Sequence, residues 1–266
     1  MTVWRDVLNR RELLTNLVSR ELKLRYRGSL LGFLWSVLIP LFMALIYVVF
    51  LRLLGGRGVP LADIIIGVFA WQFTVQCVNG GLGAVKGNAN LVKKVAFPRV
   101  ILPLSATLAN LVTYLLSLLV QFGLVAALFL HAGHFFSPLA LALPAVVLFH
   151  LLFNFALALL LSAINVYVRD AEHLVGIGLS AWFFVTPVMY NLTLVQQFAE
   201  KHPWVADLYL LNPMAVIITA YRAVITPGVA LPWAPAVLAT MVVTGLLLVL
   251  AYRVFDRLQK DFADLL

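Results

Sequence analysis

The chain has 266 residues, of which 63% are hydrophobic and 11% are charged, and its formal net charge is +8. A soluble domain of this size must cover its surface with polar groups and typically has about a quarter of its residues charged, so this composition excludes a soluble globular protein. It predicts an all-α polytopic membrane protein. The excess of Lys and Arg in the cytoplasmic loops of membrane proteins, and their attraction to anionic lipid, explain the positive charge more simply than a nucleic-acid partner does.

Residues 1–28 precede the first apolar run and do not resemble a cleavable signal peptide, because acidic residues interrupt them and no apolar core is present. Apolar side chains recur at helical spacing along one side, at Trp4, Val7, Leu8, Leu14, Val18 and Leu22. The pattern predicts an amphipathic helix lying in the headgroup plane, with Arg20 on its polar face. It leaves open whether that face binds a protein partner or the helix only anchors to lipid.

Six apolar runs follow, and they are the predicted transmembrane helices. A helix needs roughly 20 apolar residues to cross about 30 Å of hydrocarbon. The fifth run is short, and the third is longer than necessary, which implies tilt. No internal repeat divides the chain, so we predict one domain over residues 1–266, with a six-span bundle at 30–252 and a tail at 253–266. The runs are residues 30–51, 64–85, 100–130, 139–163, 174–190 and 235–252.

The connection before the last run contains YLLNPMAVIITAYRAVI, an apolar segment broken by Pro213 and Arg222. A central arginine costs about 2.5–3.5 kcal/mol on insertion, which favours a re-entrant or interfacial segment over a seventh span. Six spans also place both termini on one side. Fifteen of the Lys and Arg residues then lie on that side and four on the other, the bias typical of cytoplasmic termini.

The turn KGNANLVKKVAFPRVILP joins the second and third runs. Asn88 and Asn90 suit the start of a helix, and Pro98 disfavours helix at the residue before it. The pattern predicts a short helix across the membrane surface with Lys93 and Lys94 at its centre, and a solvated basic loop is the alternative.

The tail YRVFDRLQKDFADLL carries apolar residues at helical spacing. Asp256 and Lys260 stand at the favourable i, i+4 separation. We predict that the last helix continues beyond the membrane and packs there through Phe255, Leu258, Phe262 and Leu265.

Few titratable groups lie inside the predicted spans, and His150 is the one far from a span end. Ion-coupled carriers need ionisable groups at membrane depth, so secondary transport is disfavoured and His150 is interpreted as a hydrogen-bonded packing residue. No carboxylate pair, Ser/His/Asp set or metal cluster is indicated, so no catalytic or metal-binding residue is predicted. The glycine-rich NGGLGAVKGN lacks the GK[ST] ending of a P-loop, so no ATP site is predicted on this chain.

Aromatic side chains are spread through the first, second and fifth runs. Most such residues pack or anchor at interfaces, and the alternative is a slide on which the C–H faces of sugar rings stack. The candidates for such a channel lining are Trp35, Phe42, Trp71, Phe73, Trp182, Phe183 and Tyr190.

Five motifs in order resemble the permease subunits of type-2 ATP-binding-cassette exporters, in the branch that exports O-antigen polysaccharide, teichoic acid and related polymers. The resemblance covers nearly the whole chain. The motifs are RELKLRYRGSLLGFLWSVLIPL, NANLVKKVAFPRVILPL, NVYVRD, FFVTPVMY and YLLNPMAVIITAYRAVI.

The resemblance implies a homodimer in a bacterial cytoplasmic (inner) membrane, bound to a separate ATPase subunit that holds the ATP and Mg. This chain would then carry no cofactor and be no enzyme, with a lipid-linked polysaccharide as its substrate, membrane lipids around it and no nucleic acid. The amphipathic helix resembles the family's interface helix, and residues 88–99 resemble its coupling region. The candidate coupling residues are Arg20, Arg25, Arg27, Asn88, Asn90, Lys93, Lys94, Phe97, Pro98 and Arg99.

The connection before the last run resembles the family's paired short helices at the outer channel mouth, with Asn212, Pro213, Tyr221 and Arg222 as its candidate residues. Two positions depart from the family. Thr219 stands where members often have an acidic residue, which argues against an ion-pair role for Arg222. Asn191 stands where a proline often follows the tyrosine of FFVTPVMY.

The predicted function is therefore the permease subunit of an ATP-driven exporter of a lipid-linked cell-surface polysaccharide. A drug or lipid exporter of the same superfamily is the first alternative. A membrane-embedded glycosyltransferase or acyltransferase is the second, and it would depend on Glu200, His202 and Asp207.

Overall fold

The structure is a computed structural model, and it describes residues 9–53, 59–133, 135–190, 195, 204, 209 and 211–266. Within these ranges the chain is helical and has no strand, as the composition predicts. Two 3-10 turns, Pro138–Ala142 and Gln259–Asp261, precede α6 and α10. The helices are α1 (Arg11–Tyr26), α2 (Leu34–Leu53), α3 (Leu61–Lys86), α4 (Ala89–Lys94), α5 (Ile101–Ala132), α6 (Leu143–Tyr167), α7 (Ala171–Val185), α8 (Pro213–Ile225), α9 (Ala234–Leu258) and α10 (Phe262–Leu265).

Helix α3 is the centre of the bundle and packs against α2, α5, α6 and α8. Most of its residues are buried, because its sequence is apolar or small on every side. Small residues let α6 approach it closely, since a Cβ on Gly81 would lie 2.6 Å from Ala158 Cα. Side chains on α3 therefore face several neighbouring helices at once.

Among the residues that the structure describes, four helical stretches are long and apolar enough to cross a membrane: Leu61–Lys86, Ile101–Ala132, Pro138–Tyr167 and Ala234–Leu265. They correspond to the predicted second, third, fourth and sixth runs. The fifth run is helical only to Val185, giving about 22 Å of helix. Helix α7 ends there because Thr186 is extended, the conformation favoured before Pro187.

The first predicted run becomes helical four residues later than its first apolar residue. Helix α1 ends at Tyr26, and Gly28 and Gly32 then adopt φ values of +74° and +48°. These left-handed conformations suit glycine, and they turn the chain from α1 into α2, which begins at Leu34.

One end of the bundle, named here the basic end, is formed by Lys86, α4, the start of α5, α1 and the tail. A second apolar core fills it, with Leu17 of α1, Val92 of α4 and Phe262 of α10 all buried. The opposite end lies where α3 begins, at Asp63. The short helix α4 ends before Pro98 as predicted from its sequence.

The contacts of α1 and the tail differ in detail from the predicted stripes. The buried residue of α1 is Leu17, and Arg20 is exposed as predicted, although its guanidinium also donates a hydrogen bond to Asn88 of the bundle. Residues Trp4, Val7 and Leu8 lie outside the described residues. In the tail Phe255 and Phe262 are buried but Leu265 is 51% exposed, because the 3-10 turn breaks the helical period.

Candidate functional site

The predicted coupling residues Arg20 and Asn88 are in direct contact. Arg20 of α1 donates from Nη2 to Asn88 Oδ1 at 2.6 Å. Asn88 in turn donates from Nδ2 to the carbonyl oxygen of Ala84 at 2.8 Å, so its side chain folds back onto α3. One asparagine thus joins the amphipathic helix to the turn between α3 and α4.

A second contact of the same kind lies deeper in the bundle. Arg25 of α1 donates from Nη2 to Asn110 Oδ1 at 2.6 Å. Asn110 is a buried residue of α5, and its Nδ2 donates to the carbonyl oxygen of Gln76 in α3 at 3.0 Å. Asn110 is not among the coupling residues predicted from the sequence.

A third asparagine repeats the arrangement where α6 ends. Lys86 Nζ donates to Asn165 Oδ1 at 3.0 Å, and Asn165 Nδ2 donates to the carbonyl oxygen of Leu82 at 2.7 Å and to Glu172 at 3.1 Å. Asn165 opens the NVYVRD motif. In each of these asparagine bridges a cation binds the amide oxygen and the amide nitrogen binds a carbonyl of α3.

The surface of the basic end is a cationic groove of about 490 Å³ between α1 and α4. Its walls include Arg20, Lys86, Asn90 and Lys94, and Lys93 beside it is exposed. A neighbouring groove of about 440 Å³ is lined by α1 and by Arg27, the residue that follows it. This density of positively charged side chains suits the binding of an acidic protein surface.

The remaining predicted coupling residues lie at the start of α5. Phe97 packs against the second core, and Pro98 beside it is half-buried. The Arg99 guanidinium carbon lies 6.0 Å from the centre of the Phe262 ring, within the range of a cation–π contact. The tail therefore contacts, through Phe262, the same connection between α3 and α5 that α1 contacts through Arg20.

A third cavity, of about 380 Å³, lies between α2, α3 and α7, and it is named here the aromatic groove. Trp71 and Phe183 stand in its wall with ring centres 5.7 Å apart, and Tyr47 lies 5.5 Å from Phe183. The complete lining is Met43, Tyr47, Val68, Trp71, Gln72, Val75, Asn79, Gly176, Leu179, Ser180, Phe183 and Phe184.

Polar groups interrupt these aromatic walls. Gln72, Asn79 and Ser180 line the groove, and the first two share one side of α3 with Val68 and Val75. Aromatic faces with a few amides and hydroxyls suit carbohydrate, whose rings stack and whose hydroxyls form hydrogen bonds. Sequence analysis did not identify Asn79 or Ser180, although the α3 residues recur at helical spacing after Trp71.

The other predicted channel residues lie in four places. Tyr190 does not line the groove, and its hydroxyl donates to the Phe184 carbonyl at 3.1 Å. Trp182 is next to the groove, 5.5 Å from Trp71 in an edge contact. Trp35 and Phe42 are 46% and 54% exposed on α2. Phe73 does not line the groove, because it is buried on another side of α3 and stacks on Tyr114 at 4.3 Å.

The start of α8 is fixed by Asn212. Its Oδ1 accepts from the backbone N–H of Met214 at 3.1 Å and from Trp182 Nε1 at 3.0 Å. Its Nδ2 donates to Thr186 Oγ1 at 3.0 Å. This is an N-cap followed by proline at the first helical position, and it joins the start of α8 to the end of α7.

Arg222 is buried in α8 and binds backbone oxygens. Its Nε and Nη2 donate to the Asp63 carbonyl at 3.1 Å, its Nη2 also to the Val188 carbonyl at 2.9 Å, and its Nη1 to the Tyr190 carbonyl at 2.7 Å. Thr219 donates to Ala215 of its own helix at 2.7 Å and takes no part. The guanidinium thus holds α8 against the start of α3 and the segment after α7.

Tyr221 and His150 form a buried polar contact beside α3. His150 Nε2 lies 2.7 Å from Thr74 Oγ1, and Nδ1 lies 3.3 Å from the Tyr221 hydroxyl. These contacts agree with a packing role for His150. Asn191, Glu200, His202 and Asp207, named in the sequence analysis, lie outside the described residues.

Comparison with known proteins gives consistent matches. The ABC-2 type transporter family matches residues 12–226. An O-antigen export system permease protein RfbA of Myxococcus xanthus is 36% identical over 262 residues, 98% of this chain and 97% of the relative. Two proteins of the same name from Klebsiella pneumoniae are 28% and 29% identical over 258 residues, 96% of this chain and 95% of each relative.

Proposed function

The chain belongs to the ABC-2 type transporter family, and we propose that it is the membrane permease of an ATP-driven exporter that moves a lipid-linked cell-surface polysaccharide, of the O-antigen class. The observation that carries the proposal is the similarity to O-antigen export permeases over nearly the whole chain. The aromatic groove supports it, because Trp71, Phe183 and Tyr47 offer stacking faces and Gln72 offers an amide for hydroxyl groups.

Energy for transport comes from a separate ATPase subunit that binds ATP and Mg and docks at the basic end. Exposed Lys93 and Lys94, together with Arg20 on α1 and Arg27 directly after it, give that end the charge expected of a docking surface. The basic end then faces the cytoplasm of a bacterial inner membrane, in keeping with the positive-inside rule, and both termini lie on that side.

The bundle has six spans, with α2 and α7 added to the four long helices. Helix α8 is re-entrant, because the contact of Asn212 at its start with Thr186 and the contact of its Arg222 with Asp63 both lie toward the opposite end of the bundle. It begins beside the end of α7, at Asn212, and returns toward Asp63 at the outer side.

The working unit is a homodimer with the polymer path between the two copies. Helix α2 supports this arrangement, since Trp35 and Phe42 expose large apolar faces next to the aromatic groove. A second copy across that groove would convert an open wall into an enclosed path.

The proposal is tested by deleting the gene and measuring where the polymer is. We expect lipid-linked polymer to accumulate inside the cell and to return to the surface when the chain is restored together with its ATPase. The purified chain alone should hydrolyse no ATP. Surface polymer at the normal level in the deletion strain, or robust ATPase activity of the chain by itself, would contradict the proposal.

A further inference from the structure

The side chain of Arg25 reaches from the surface helix α1 to an acceptor that is buried in the bundle. Its acceptor, Asn110, is 0% exposed and follows Ile101, the first residue of α5, by nine positions. At 1.5 Å per residue the contact lies about 14 Å from that end of α5. Arg25 itself is exposed, so the hydrogen bond links a surface cation to a buried amide.

Both ends of the Asn110 amide are occupied by different helices. Oδ1 accepts from Arg25 of α1, and Nδ2 donates to the Gln76 carbonyl of α3. Gly80 leaves the space that the amide needs, because a Cβ there would lie 2.8 Å from Asn110 Nδ2. The amide therefore has one orientation and lies in a notch on α3.

We propose that Asn110 is a positioning residue for transport, which carries a displacement of α1 through Arg25 to the wall of the aromatic groove. A shift of about 1 Å takes the 2.6 Å hydrogen bond past ordinary hydrogen-bonding distance unless the amide follows. Rotation of the amide moves Nδ2 away from Gln76, one helical turn from Gln72 in the groove. The displacement of α1 would therefore reach α3 without passing through the turn between α3 and α5.

The chemistry of the acceptor suits a contact that changes during a cycle. A carboxylate would bind Arg25 more tightly, whereas a neutral amide forms the weaker of the two hydrogen bonds. A contact used only for stability gains nothing from having an amide instead of a carboxylate as its acceptor. The inference rests on the proposed function, because only a transporter coupled to an ATPase has a displacement of α1 to transmit.

The test uses the complete complex of this chain with its ATPase in proteoliposomes. Polymer exported per ATP hydrolysed is measured for Arg25→Gln, Asn110→Ala, the double variant and Gly80→Ala, with Gly83→Ala as the matched control. A Cβ on Gly83 meets nothing within 4 Å. Arg25→Lys is the conservative variant, since it keeps the charge and a donor.

We expect Arg25→Gln and Asn110→Ala each to lower export per ATP by about tenfold, the effect of losing a hydrogen bond to a charged group. The double variant should be no worse than either single variant, because the two residues share one contact. Gly80→Ala should lower the ratio while Gly83→Ala keeps it, and Arg25→Lys should restore part of it. If Asn110→Ala fails to fold, Arg25→Gln still tests the proposal, because Arg25 is exposed and its substitution leaves the core intact.

The role of Asn110 would be overturned if the double variant lost as much export per ATP as the two single variants combined. It would also be overturned if Arg25→Gln exported as much polymer per ATP as the wild type. A lower melting temperature with the ratio unchanged would also overturn it, since that is the signature of a structural contact alone. If the wild-type complex hydrolyses ATP but moves no polymer, the proposed function fails and this inference falls with it. If the wild type exports and the variants keep its ratio, only the inference fails.

Discussion

The two ends of α3 bind arginine in different ways. At the opposite end Arg222 is buried and donates to backbone carbonyls of Asp63, Val188 and Tyr190. At the basic end Arg20 and Arg25 leave a surface helix and donate to asparagine side chains. A backbone carbonyl moves only with its segment of chain, whereas an amide side chain can rotate and release its partner.

The difference indicates that one end is fixed and the other is adjustable. Arg222 can use all sides of its planar donor group at once, which locks α8 against α3. The asparagine bridges of Arg20 and Arg25 instead join α1 to α3 through one amide each, with each arginine held by a single hydrogen bond. We therefore expect substitutions at the opposite end to lower stability, and substitutions at the basic end to lower transport first.

The largest effect is expected for Arg222→Met, which removes the guanidinium donors from the carbonyl oxygens of Asp63, Val188 and Tyr190. Each buried acceptor without a partner costs about 1–3 kcal/mol, so the free energy of unfolding should fall by about 3 kcal/mol or more. Thermal unfolding in detergent measures it. Arg169→Met makes the same chemical change at an exposed residue and should alter stability little. An Arg222→Met protein as stable as the wild type would contradict the fixed character of this end.

A smaller loss of stability is expected for Gly67→Ala. A Cβ at Gly67 would overlap the carbonyl oxygen of Val188 and lie 2.9 Å from Arg222 Nη2, so the segment after α7 must shift. Overpacking of this kind costs about 1–3 kcal/mol. The control is Gly123→Ala in α5, where a Cβ meets nothing within 4 Å and a helix-propensity gain of up to about 1 kcal/mol is expected. Equal melting temperatures for the two variants would show that Val188 does not press on α3.

Hydrophobic runs and proline positions were sufficient to predict most of the helices. The second, third, fourth and sixth runs appear as long apolar helices, and α4 ends before Pro98. The end of the fifth run was placed too late, because Val188, Met189 and Tyr190 are as apolar as a span while Pro187 already prevents helix. Hydropathy depends only on composition. A single proline ends a helix while leaving the hydropathy of the segment almost unchanged.

The candidate site was less predictable, because side chains are brought together by packing between distant helices. Asn88 was named from its place in a motif, but its pairing with Arg20 depends on how α1 turns its side toward the bundle. Trp71 and Phe73 are two residues apart in one helix and point to different surroundings, one to the groove and one to Tyr114. Only the neighbours of α3 decide which aromatic residue lines a cavity.

The smallest effect on stability, with a clear effect on transport, is expected for the double variant Lys93→Glu with Lys94→Glu. Both side chains are exposed, so the free energy of unfolding should change by no more than about 0.5 kcal/mol. Reversed charges would repel an acidic docking surface on the ATPase, and export should fall by about tenfold while the protein still inserts. Export of labelled polymer and the amount of ATPase that co-purifies are the measurements.

The matched control reverses Arg257 and Lys260, which are exposed residues of the tail at the same end. It changes the net charge of that end by the same amount, so it separates a local docking contact from the general charge bias that orients the spans. If both double variants export equally well, α4 is no docking element and the adjustable end must transmit through α1 alone. If both lose export equally and also insert poorly, the lysines act through topology. A loss confined to Lys93 and Lys94 places the docking contact on α4.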